Sequence, residues 1–183
     1  MRLGPPDPNH LTAEQKRVHD IIASGPRGRV RGPLAIWLHR PELAEAAQAL
    51  GAYCRYGSSL DPKLSELAIL CMACVWQAEF EWWAHKPIAL KAGLAPEIVE
   101  ALKAGGRPSF ADPEEAIVHD VVFALSRERK IPGAVYAKGT DVLGTGRLVD
   151  LVGLCGYYTL ISMTLNAFEV SLPDGETYEL TTP

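Results

Sequence analysis

The stretch that decides the fold is residues 61–94, DPKLSELAILCMACVWQAEFEWWAHKPIALKAGL. It begins with Asp61-Pro62, in which an aspartate that can cap a helix precedes a proline that fits the first helical turn. A run of apolar residues follows, and Gly93 near the end of the stretch is a typical helix stop. The stretch therefore predicts a strongly apolar, buried helix and a second helical segment after it.

Similar start and stop residues recur on both sides of this stretch. Thr12 and Gln15 have the spacing of a capping box, and no segment shows the sustained apolar–polar alternation of a half-buried strand. We therefore predict an all-α fold. Further helices are predicted from Pro41 to Cys54, from Pro96, from Pro113 after a capping Asp112, from Pro132 to about Leu143, and, after a break at Gly144–Gly146, from Arg147 to Phe168.

The helical stretches fit one domain, because a chain of 183 residues can bury a single core. The stretches 41–93 and 114–168 each combine a helix, a turn and an apolar helix, which indicates a weak internal duplication. We assign the whole chain, 1–183, to one domain with a core at about 33–172, an N-terminal helix and loop at 1–32 and a polar tail at 173–183.

Charge and composition limit the partners and the compartment. The net charge is −4, from 18 basic and 22 acidic residues, so the chain lacks the basic excess of a nucleic-acid binder. The longest apolar run, between Asp150 and Asn166, is shorter than the roughly 20 residues of a membrane-spanning helix. The proline-rich N-terminus has no apolar segment typical of a signal peptide. We therefore expect no membrane contact, and four free cysteine thiols in the cytoplasm.

Cys71 and Cys74 form a C-x-x-C pair, a spacing that redox and zinc sites use. One such pair cannot complete a zinc site, which needs two more ligands. A redox thiol needs an electropositive and partly exposed setting, whereas this pair lies in the middle of an apolar helix. We therefore interpret both cysteines as small core residues and predict no metal site.

Glu81 and His85 form a second chemical feature of the stretch. They are four residues apart, so they share one helical face and can form a hydrogen bond. A carboxylate beside an imidazole raises the imidazole pKa and can fix its tautomer. The adjacent Trp82 and Trp83 can shield such a pair from water. This pattern is typical of a site for proton transfer, although Glu–His pairs are also common on helix surfaces.

The same stretch resembles the alkylhydroperoxidase D-like superfamily, which includes the carboxymuconolactone decarboxylases. In the peroxidase branch of that superfamily the motif is a Glu, eleven residues, C-x-x-C, three residues and a His. Counted from Glu66, this frame places the two cysteines at Ala78 and Glu81, and the histidine at His85. Both cysteine positions are thus substituted, and the C-x-x-C pair described above is out of register with the motif.

The segments 81–94 and 156–168 are similar to the decarboxylase-like branch, and the resemblance spans about residues 33–172. It implies an all-helical, alkylhydroperoxidase D-like domain with an internal duplication, assembled into ring-like homo-oligomers, either trimers or hexamers. Characterised relatives decarboxylate a lactone acid of aromatic catabolism without a metal or an organic cofactor. The resemblance therefore implies a small-molecule substrate and no cofactor.

On this resemblance, His85, Glu81 and Glu66 are the candidate catalytic residues. Loss of carbon dioxide leaves electron density that must be protonated, and a protonated His85 can donate that proton. Glu81 would tune His85 or relay protons, and Glu66 in its apolar surroundings would be a second proton carrier. The candidate substrate-binding residues are Trp82, Tyr157 and Asn166.

The geometry of this site requires a break in the helix. Glu66 and Glu81 are fifteen residues apart, or about 22 Å on one straight helix, so we predict an interruption between Cys74 and Glu81. The sequence does not decide which basic residue would bind a substrate carboxylate. The candidates are Arg55, Lys86, Arg107 and Arg147. The glycine-broken cluster of Arg27, Arg29 and Arg31 is interpreted as a solvated loop.

Three functions follow from these features. The leading prediction is a decarboxylase-like lyase, or a related isomerase or hydrolase on the same proton-transfer site. A thiol peroxidase or disulfide reductase that uses Cys71 and Cys74 is an alternative, and it predicts a thiol of low pKa. The other alternative is a non-catalytic oligomeric protein that binds a small aromatic or lactone ligand without turnover.

Overall fold

The computed structural model describes residues 1–180. Within this range the chain forms eight α-helices and one short π-helix, and no β-strand. The predicted all-α class is confirmed, and residues 181–183 of the predicted tail lie outside the described residues. The elements are α1 Ala13–Ser24, α2 Pro33–Trp37, α3 Pro41–Ala52, the π-helix Tyr53–Gly57, α4 Pro62–Trp76, α5 Glu79–Lys91, α6 Pro96–Lys103, α7 Pro113–Glu128 and α8 Gly133–Ala167.

The helix starts lie where capping residues predict them. The Thr12 hydroxyl accepts a hydrogen bond from the Gln15 amide at 3.2 Å, and the Gln15 side chain accepts one from the Thr12 amide at 2.9 Å. These two bonds complete a capping box on α1. Asp61 and Asp112 cap α4 and α7 through their side chains. Each cap satisfies an amide group that has no partner within its helix.

α4 is the central helix of the fold. It packs against α5, α7 and α8, and every residue from Leu64 to Ala73 is buried. A helix that is apolar around its whole circumference belongs in the interior. Glu66 is the one carboxylate within this buried stretch, so its charge requires a partner inside the protein.

A sharp turn separates α4 from α5. α4 ends at Trp76, Gln77 adopts the left-handed conformation with φ of 50° and ψ of 43°, and α5 begins at Glu79. The side-chain amide of Gln77 donates a hydrogen bond to the Cys74 carbonyl oxygen at 2.7 Å, which satisfies one of the last carbonyl groups of α4. The predicted interruption between Cys74 and Glu81 is therefore confirmed.

α8 spans 35 residues but is bent at Gly144, whose φ of 76° and ψ of 163° lie outside the helical region. The predicted break at this position is confirmed. By length and composition α8 could cross a bilayer, yet 56% of its most apolar window is buried within the protein. This burial is typical of a core helix, and α8 packs along α4 and α7.

The tail after α8 is docked on the helical body. The carboxylate of Glu179 pairs with Lys86 of α5 at 2.7 Å and with Lys103 of α6 at 3.3 Å. Its backbone amide donates to the Glu79 carboxylate at 3.0 Å, and Leu180 is buried in the core. These contacts attach the tail to α5 and α6.

Candidate active site

His85 lies between two carboxylates. Its Nδ1 atom is 2.6 Å from Oε2 of Glu66 on α4, and its Nε2 atom is 2.9 Å from Oε1 of Glu81, one turn earlier on α5. All three side chains are buried. The structure thus brings together the three residues predicted to be catalytic, and we call them the Glu66–His85–Glu81 centre.

The turn between α4 and α5 creates this centre. It folds α5 back against α4, so that Glu66 and His85 touch although they are nineteen residues apart. Glu81 reaches the same imidazole through the ordinary i,i+4 spacing of α5. The burial of α4 and the turn at Gln77 therefore fix the site, since neither carboxylate depends on a flexible loop.

The three groups share protons. A neutral imidazole has one N–H and one acceptor nitrogen, whereas an imidazolium donates at both nitrogens. With a carboxyl group at each nitrogen, either His85 is an imidazolium or one glutamate carries the intervening proton. Burial lowers the pKa of His85, but the carboxylates of Glu81 and Glu66 outweigh burial and raise it above its ordinary value of 6.5. The imidazolium form of His85 thus persists to a higher pH than it would in an unperturbed histidine.

Two tyrosines of α8 form the inner wall of the site. The Tyr158 hydroxyl is 3.4 Å from Nε2 of His85, and the two rings pack edge to face with centroids 5.5 Å apart. The Tyr157 hydroxyl accepts a hydrogen bond from Nη2 of Arg27 at 3.4 Å. Burial raises the pKa of Tyr157 to about 12 and that of Tyr158 well above its usual range. Both side chains therefore stay protonated and can donate hydrogen bonds.

These groups border a cavity of about 240 Å³. Glu81, His85 and Tyr158 line the cavity, whereas Glu66 contacts His85 from outside it. Its apolar lining includes Leu34, Phe80, Ala84, Ile88 and Ile161. Because pockets for drug-sized molecules start at about 300 Å³, this cavity suits a smaller ligand. The mixture of apolar walls with a few converging polar groups is typical of a small-molecule site.

Four arginines also line the cavity: Arg27, Arg29 and Arg31 from the loop between α1 and α2, and Arg55 from the π-helix. We call residues 25–32 the arginine loop. The interpretation of its arginines as a solvated loop fits Arg29, which is exposed, while Arg27 and Arg31 are half-buried. The loop also lines the cavity, which that interpretation does not include. Glycine-broken segments carry no periodic pattern, so nothing in the sequence indicates where this loop lies.

Arg55 is the one member of the four basic candidates that lines the cavity. Within residues 1–180 it has no carboxylate within 4 Å, and its buried Nε atom has no hydrogen-bond partner. The other three candidates are paired with carboxylates elsewhere: Lys86 with Glu179, Arg107 with Asp120 and Arg147 with Glu114.

The π-helix sets the position of Arg55. The helix predicted from Pro41 to Cys54 ends at Ala52, and the chain continues as the π-helix Tyr53–Gly57. Its wider turn has no simple sequence signature, and single π-turns often occur at functional sites. The Arg55 guanidinium lies 5.1 Å from the ring centroid of Tyr56, which also lines the cavity.

Two of the predicted substrate-binding residues, Trp82 and Asn166, do not line this cavity. Trp82 is buried against the core and tail, where its Nε1 donates to the Glu179 carboxylate at 3.3 Å. The Asn166 side chain donates to the backbone oxygen of Trp76 at 2.7 Å. That oxygen is one of the unpaired carbonyl groups at the end of α4, so Asn166 has a structural role. Tyr157, the third predicted residue, does line the cavity.

Cys71 and Cys74 lie apart from the cavity. Cys71 is fully buried in α4, and the Sγ atom of Cys74 donates to the Leu102 carbonyl oxygen at 3.5 Å. Burial raises the pKa of Cys71 well above its usual range and that of Cys74 to about 12. A reactive thiol requires the opposite shift. The structure therefore supports the interpretation of both cysteines as core residues.

The Glu66–His85–Glu81 centre lacks the arrangement of a metal site. In the described part of the chain, no group of three or more His, Cys, Asp or Glu side chains could hold a metal ion. Glu66, Glu81 and His85 have suitable atoms, but both imidazole nitrogens already face a carboxylate. Neither nitrogen then offers a free lone pair toward a further ligand.

Comparisons with known proteins agree with this fold. Residues 41–119 match the Carboxymuconolactone decarboxylase family, and no curated protein matches the chain in sequence. An uncharacterized peroxidase-related protein from Silicibacter sp. TM1040 has a similar structure, with a TM-score of 0.73, 18% identity, and coverage of 97% of this chain and 93% of that chain. A protein of unknown function from Agrobacterium tumefaciens, whose name links it to the antioxidant defence protein AhpD, has a TM-score of 0.67, 14% identity, and coverage of 75% and 94%.

The fold and the site together define an all-helical protein with a buried carboxylate–imidazole–carboxylate centre beside an arginine-lined cavity. Residues 41–119 of the chain are similar to the carboxymuconolactone decarboxylase family, and the chain shares its all-helical fold with the two solved structures. The matched segment 41–119 contains the Glu66–His85–Glu81 centre and Arg55, whereas the arginine loop and the tyrosines of α8 lie outside it.

Proposed function

We propose that the protein is a decarboxylase-like enzyme that acts on a small lactone or carboxylic acid of aromatic catabolism by proton transfer, without a cofactor. The observation that carries this proposal is the position of His85, held between Glu66 at 2.6 Å and Glu81 at 2.9 Å. A buried imidazole with a raised pKa can act as a general acid that donates a proton to the substrate. The adjoining cavity supplies guanidinium groups that can hold an acidic substrate.

The proposed reaction proceeds by loss of carbon dioxide and gain of a proton. The bond between the substrate carbon and its carboxylate breaks, and the electron pair passes into the neighbouring carbonyl group. His85 then donates its Nε2 proton to that carbon, so that a C–H bond replaces the lost C–C bond. Glu81 lies at Nε2 and lines the cavity, so it returns a proton from solvent to the imidazole.

Glu66 has a different role in this scheme because it contacts Nδ1 outside the cavity. It holds the imidazole in position and stabilises the imidazolium, as carboxylates commonly do for catalytic histidines. Tyr158 lies beside Nε2 and can donate a hydrogen bond to the oxygen that gains charge when the bond breaks. The centre thus combines a proton donor, a proton relay and a stabilising hydrogen bond.

The test is turnover of gamma-carboxymuconolactone, followed by ultraviolet absorbance. We expect His85→Ala to reduce kcat by about 10²-fold or more, the usual contribution of a general acid. A Cys71→Ser/Cys74→Ser variant, purified to the same folded fraction, should keep its activity. Loss of turnover in the cysteine variant but not in His85→Ala would contradict the proposal. Binding of the compound without turnover by any variant would favour the non-catalytic ligand-binding alternative.

A peroxidase role is the second candidate, because the Silicibacter neighbour is named peroxidase-related and the Agrobacterium neighbour is linked to AhpD. That chemistry needs an accessible thiolate. The burial of Cys71 and the raised pKa values of both C-x-x-C thiols weigh against it. Hydroperoxide consumption that depends on Cys71 or Cys74 would establish it.

We further propose that the protein works as a homo-oligomer, a trimer or a hexamer, in the cytoplasm. α8 exposes Val149, Val152 and Met163 on one side, with 65%, 40% and 52% of their surfaces accessible. Exposed apolar side chains that follow one another along a helix are typical of an interface. Four free cysteines support a reducing compartment.

A further inference from the structure

Four guanidinium groups surround the cavity, and none of them has a carboxylate within 4 Å in the described part of the chain. Glu81 is the one acidic residue that lines the same cavity in the described part of the chain, and it is engaged by His85. The cavity therefore carries an excess of positive charge. Burial lowers the pKa of Arg31, and the like charges of Arg29 and Arg55 lower it further. The arginines repel one another, and an anion in the cavity would relieve that repulsion.

Arg55 has the strongest requirement for such an anion. Its Nε atom is buried without a hydrogen-bond partner among residues 1–180, and buried donors normally have one. Burial alone lowers the pKa of Arg55, but Tyr158, Tyr56 and the two site glutamates reverse this effect, so the guanidinium stays charged. Its location on the π-helix places a planar guanidinium donor at the cavity wall.

Arg27 reaches the cavity because its side chain and Tyr157 can both pack closely against Gly51. The Arg27 Nη2 atom donates to the Tyr157 hydroxyl at 3.4 Å, and the Nε atom of Arg27 is also buried without a partner in the described chain. A Cβ atom on Gly51 would overlap the Tyr157 hydroxyl and lie 2.5 Å from Arg27 Nη2. The absence of a side chain at Gly51 therefore lets α3, α8 and the arginine loop meet.

We propose that Arg55 and Arg27 are specificity-determining residues that bind a second carboxylate of the substrate, the one that remains on the product. The site would then prefer doubly charged acids to singly charged ones, and Gly51 would be a positioning residue for Arg27. This inference rests on the proposed function, because His85 must act on the first carboxylate. The planar guanidinium fork matches a carboxylate in two parallel hydrogen bonds, and the small cavity excludes large anions.

The experiment compares a dianion with a monoanion of the same shape. Binding of maleate and of monomethyl maleate is measured by calorimetry, with inorganic phosphate as a separate anion. The native protein should bind maleate about tenfold or more tightly than the monoester. This ratio corresponds to the free energy of one additional charge-assisted hydrogen bond. Arg55→Gln should bring the two affinities together, whereas Arg107→Gln, which removes an arginine paired with Asp120, should leave the preference unchanged.

Two further variants guard against loss of fold. Arg55→Lys keeps the charge without the planar fork and should give an intermediate preference with an unchanged melting temperature. Gly51→Ala keeps all four arginines but displaces Arg27 and Tyr157, and should reduce the preference for maleate. Equal affinities in the native protein, or a preference that survives Arg55→Gln, would overturn the inference. Phosphate that competes better than maleate would also overturn it, since the site would then select phosphate.

His85→Asn separates this inference from the proposed function. It leaves the arginines in place, so it should keep the preference for maleate over monomethyl maleate while it loses turnover. Arg55-dependent binding of maleate without turnover of any carboxylate would contradict the proposed function. The bound anion would then not be a substrate, although Arg55 would still form an anion-binding site. Turnover without any preference for dianions would overturn the arginine inference alone.

Discussion

At the residue scale, the properties of His85 depend on two buried carboxylates that approach it from different helices. Burial disfavours its charged form, and Glu66 and Glu81 favour it. The Tyr158 hydroxyl lies beside the imidazole, and Arg55 lines the same cavity. The raised pKa of His85 therefore depends on the folded arrangement of both glutamates. Removal of either carboxylate should lower this pKa.

The raised pKa gives the free energy of unfolding a characteristic pH dependence. Above pH 6.5 the folded protein keeps a proton on His85 that the unfolded chain releases, so this contribution is complete below pH 6.5 and is lost as pH rises through the folded pKa. In His85→Gln, the free energy of unfolding should decline less as pH rises above 6.5. Urea denaturation curves recorded over a pH series measure this difference. A native protein whose stability shows no decline in this range would contradict the expectation.

His119 supplies a control of opposite sign. Burial lowers its pKa, with Asp120 only partly opposing that shift. Its folded form binds fewer protons than the unfolded chain near pH 6.5, so its contribution grows with rising pH. His119→Gln should therefore change the same pH profile in the direction opposite to His85→Gln.

At the element scale, the two breaks in the helices, at Gln77 and at Gly144, shape the site. The first folds α5 against α4, and the second bends α8 so that its later part, which carries Tyr157 and Tyr158, packs along α4. Both breaks use backbone conformations outside the right-handed helical region. The side chains of the centre lie on regular helices, which hold functional groups more firmly than loops do.

Gly144 should resist substitution for a backbone reason. Its φ of 76° with ψ of 163° is a region that is almost restricted to glycine. We expect Gly144→Ala to lower the free energy of unfolding by about 1–3 kcal/mol, measured by chemical denaturation. Gly146→Ala is the matched control, because an added Cβ there meets no atom within 4 Å, and alanine should be neutral or slightly stabilising. Equal losses in the two variants would contradict the backbone argument.

The sequence predicts the regular elements well because their determinants are local. Proline and capping aspartates start α4 and α7, and a glycine marks the bend of α8. The spacing of Glu66, Glu81 and His85 even predicts the turn at Gln77. The left-handed conformation of Gln77 itself is not predictable, since glutamine has no preference for it.

The remaining site residues depend on contacts between distant segments. Arg27 reaches Tyr157 across 130 residues of sequence, and no periodic pattern in the arginine loop indicates that contact. Trp82 and Trp83 are adjacent and equally apolar, so the sequence does not tell which one faces the tail. Trp82 bonds to Glu179, while Trp83 stacks under Arg31 with its ring centroid 5.1 Å from the guanidinium carbon.

At the scale of the whole molecule, the proposed oligomer accounts for the apolar side of α8. A monomer would leave Val149 and Met163 in water, at an unfavourable free energy of about 25 cal/mol for each Å² of apolar surface. Asp150, next to Val149, accepts hydrogen bonds from Tyr53 of the π-helix and from Ser59, which follows that helix. An interface on this side of α8 would therefore adjoin the element that carries Arg55.

The oligomer is tested by placing a charge in this surface. We expect the native protein to have the mass of a trimer or a hexamer by light scattering, and Val149→Glu to shift it to smaller species, since a buried unpaired charge strongly disfavours association. Ile21→Glu on α1, where the isoleucine is 38% exposed, is the control and should keep the native mass. A monomeric native protein at micromolar concentration would contradict the prediction.

Glu66 and Glu81 favour the imidazolium form of His85, and nitrogen NMR of the His85 ring reports that protonation state. We expect most His85 rings to be protonated on both nitrogens at pH 6.5, because His85 should titrate above its ordinary value of 6.5. Glu66→Gln and Glu81→Gln should each lower that pKa, whereas Glu115→Gln, which alters a buried carboxylate paired with Lys63, should not. A native His85 that titrates at or below 6.5, or that is insensitive to both glutamates, would contradict the account.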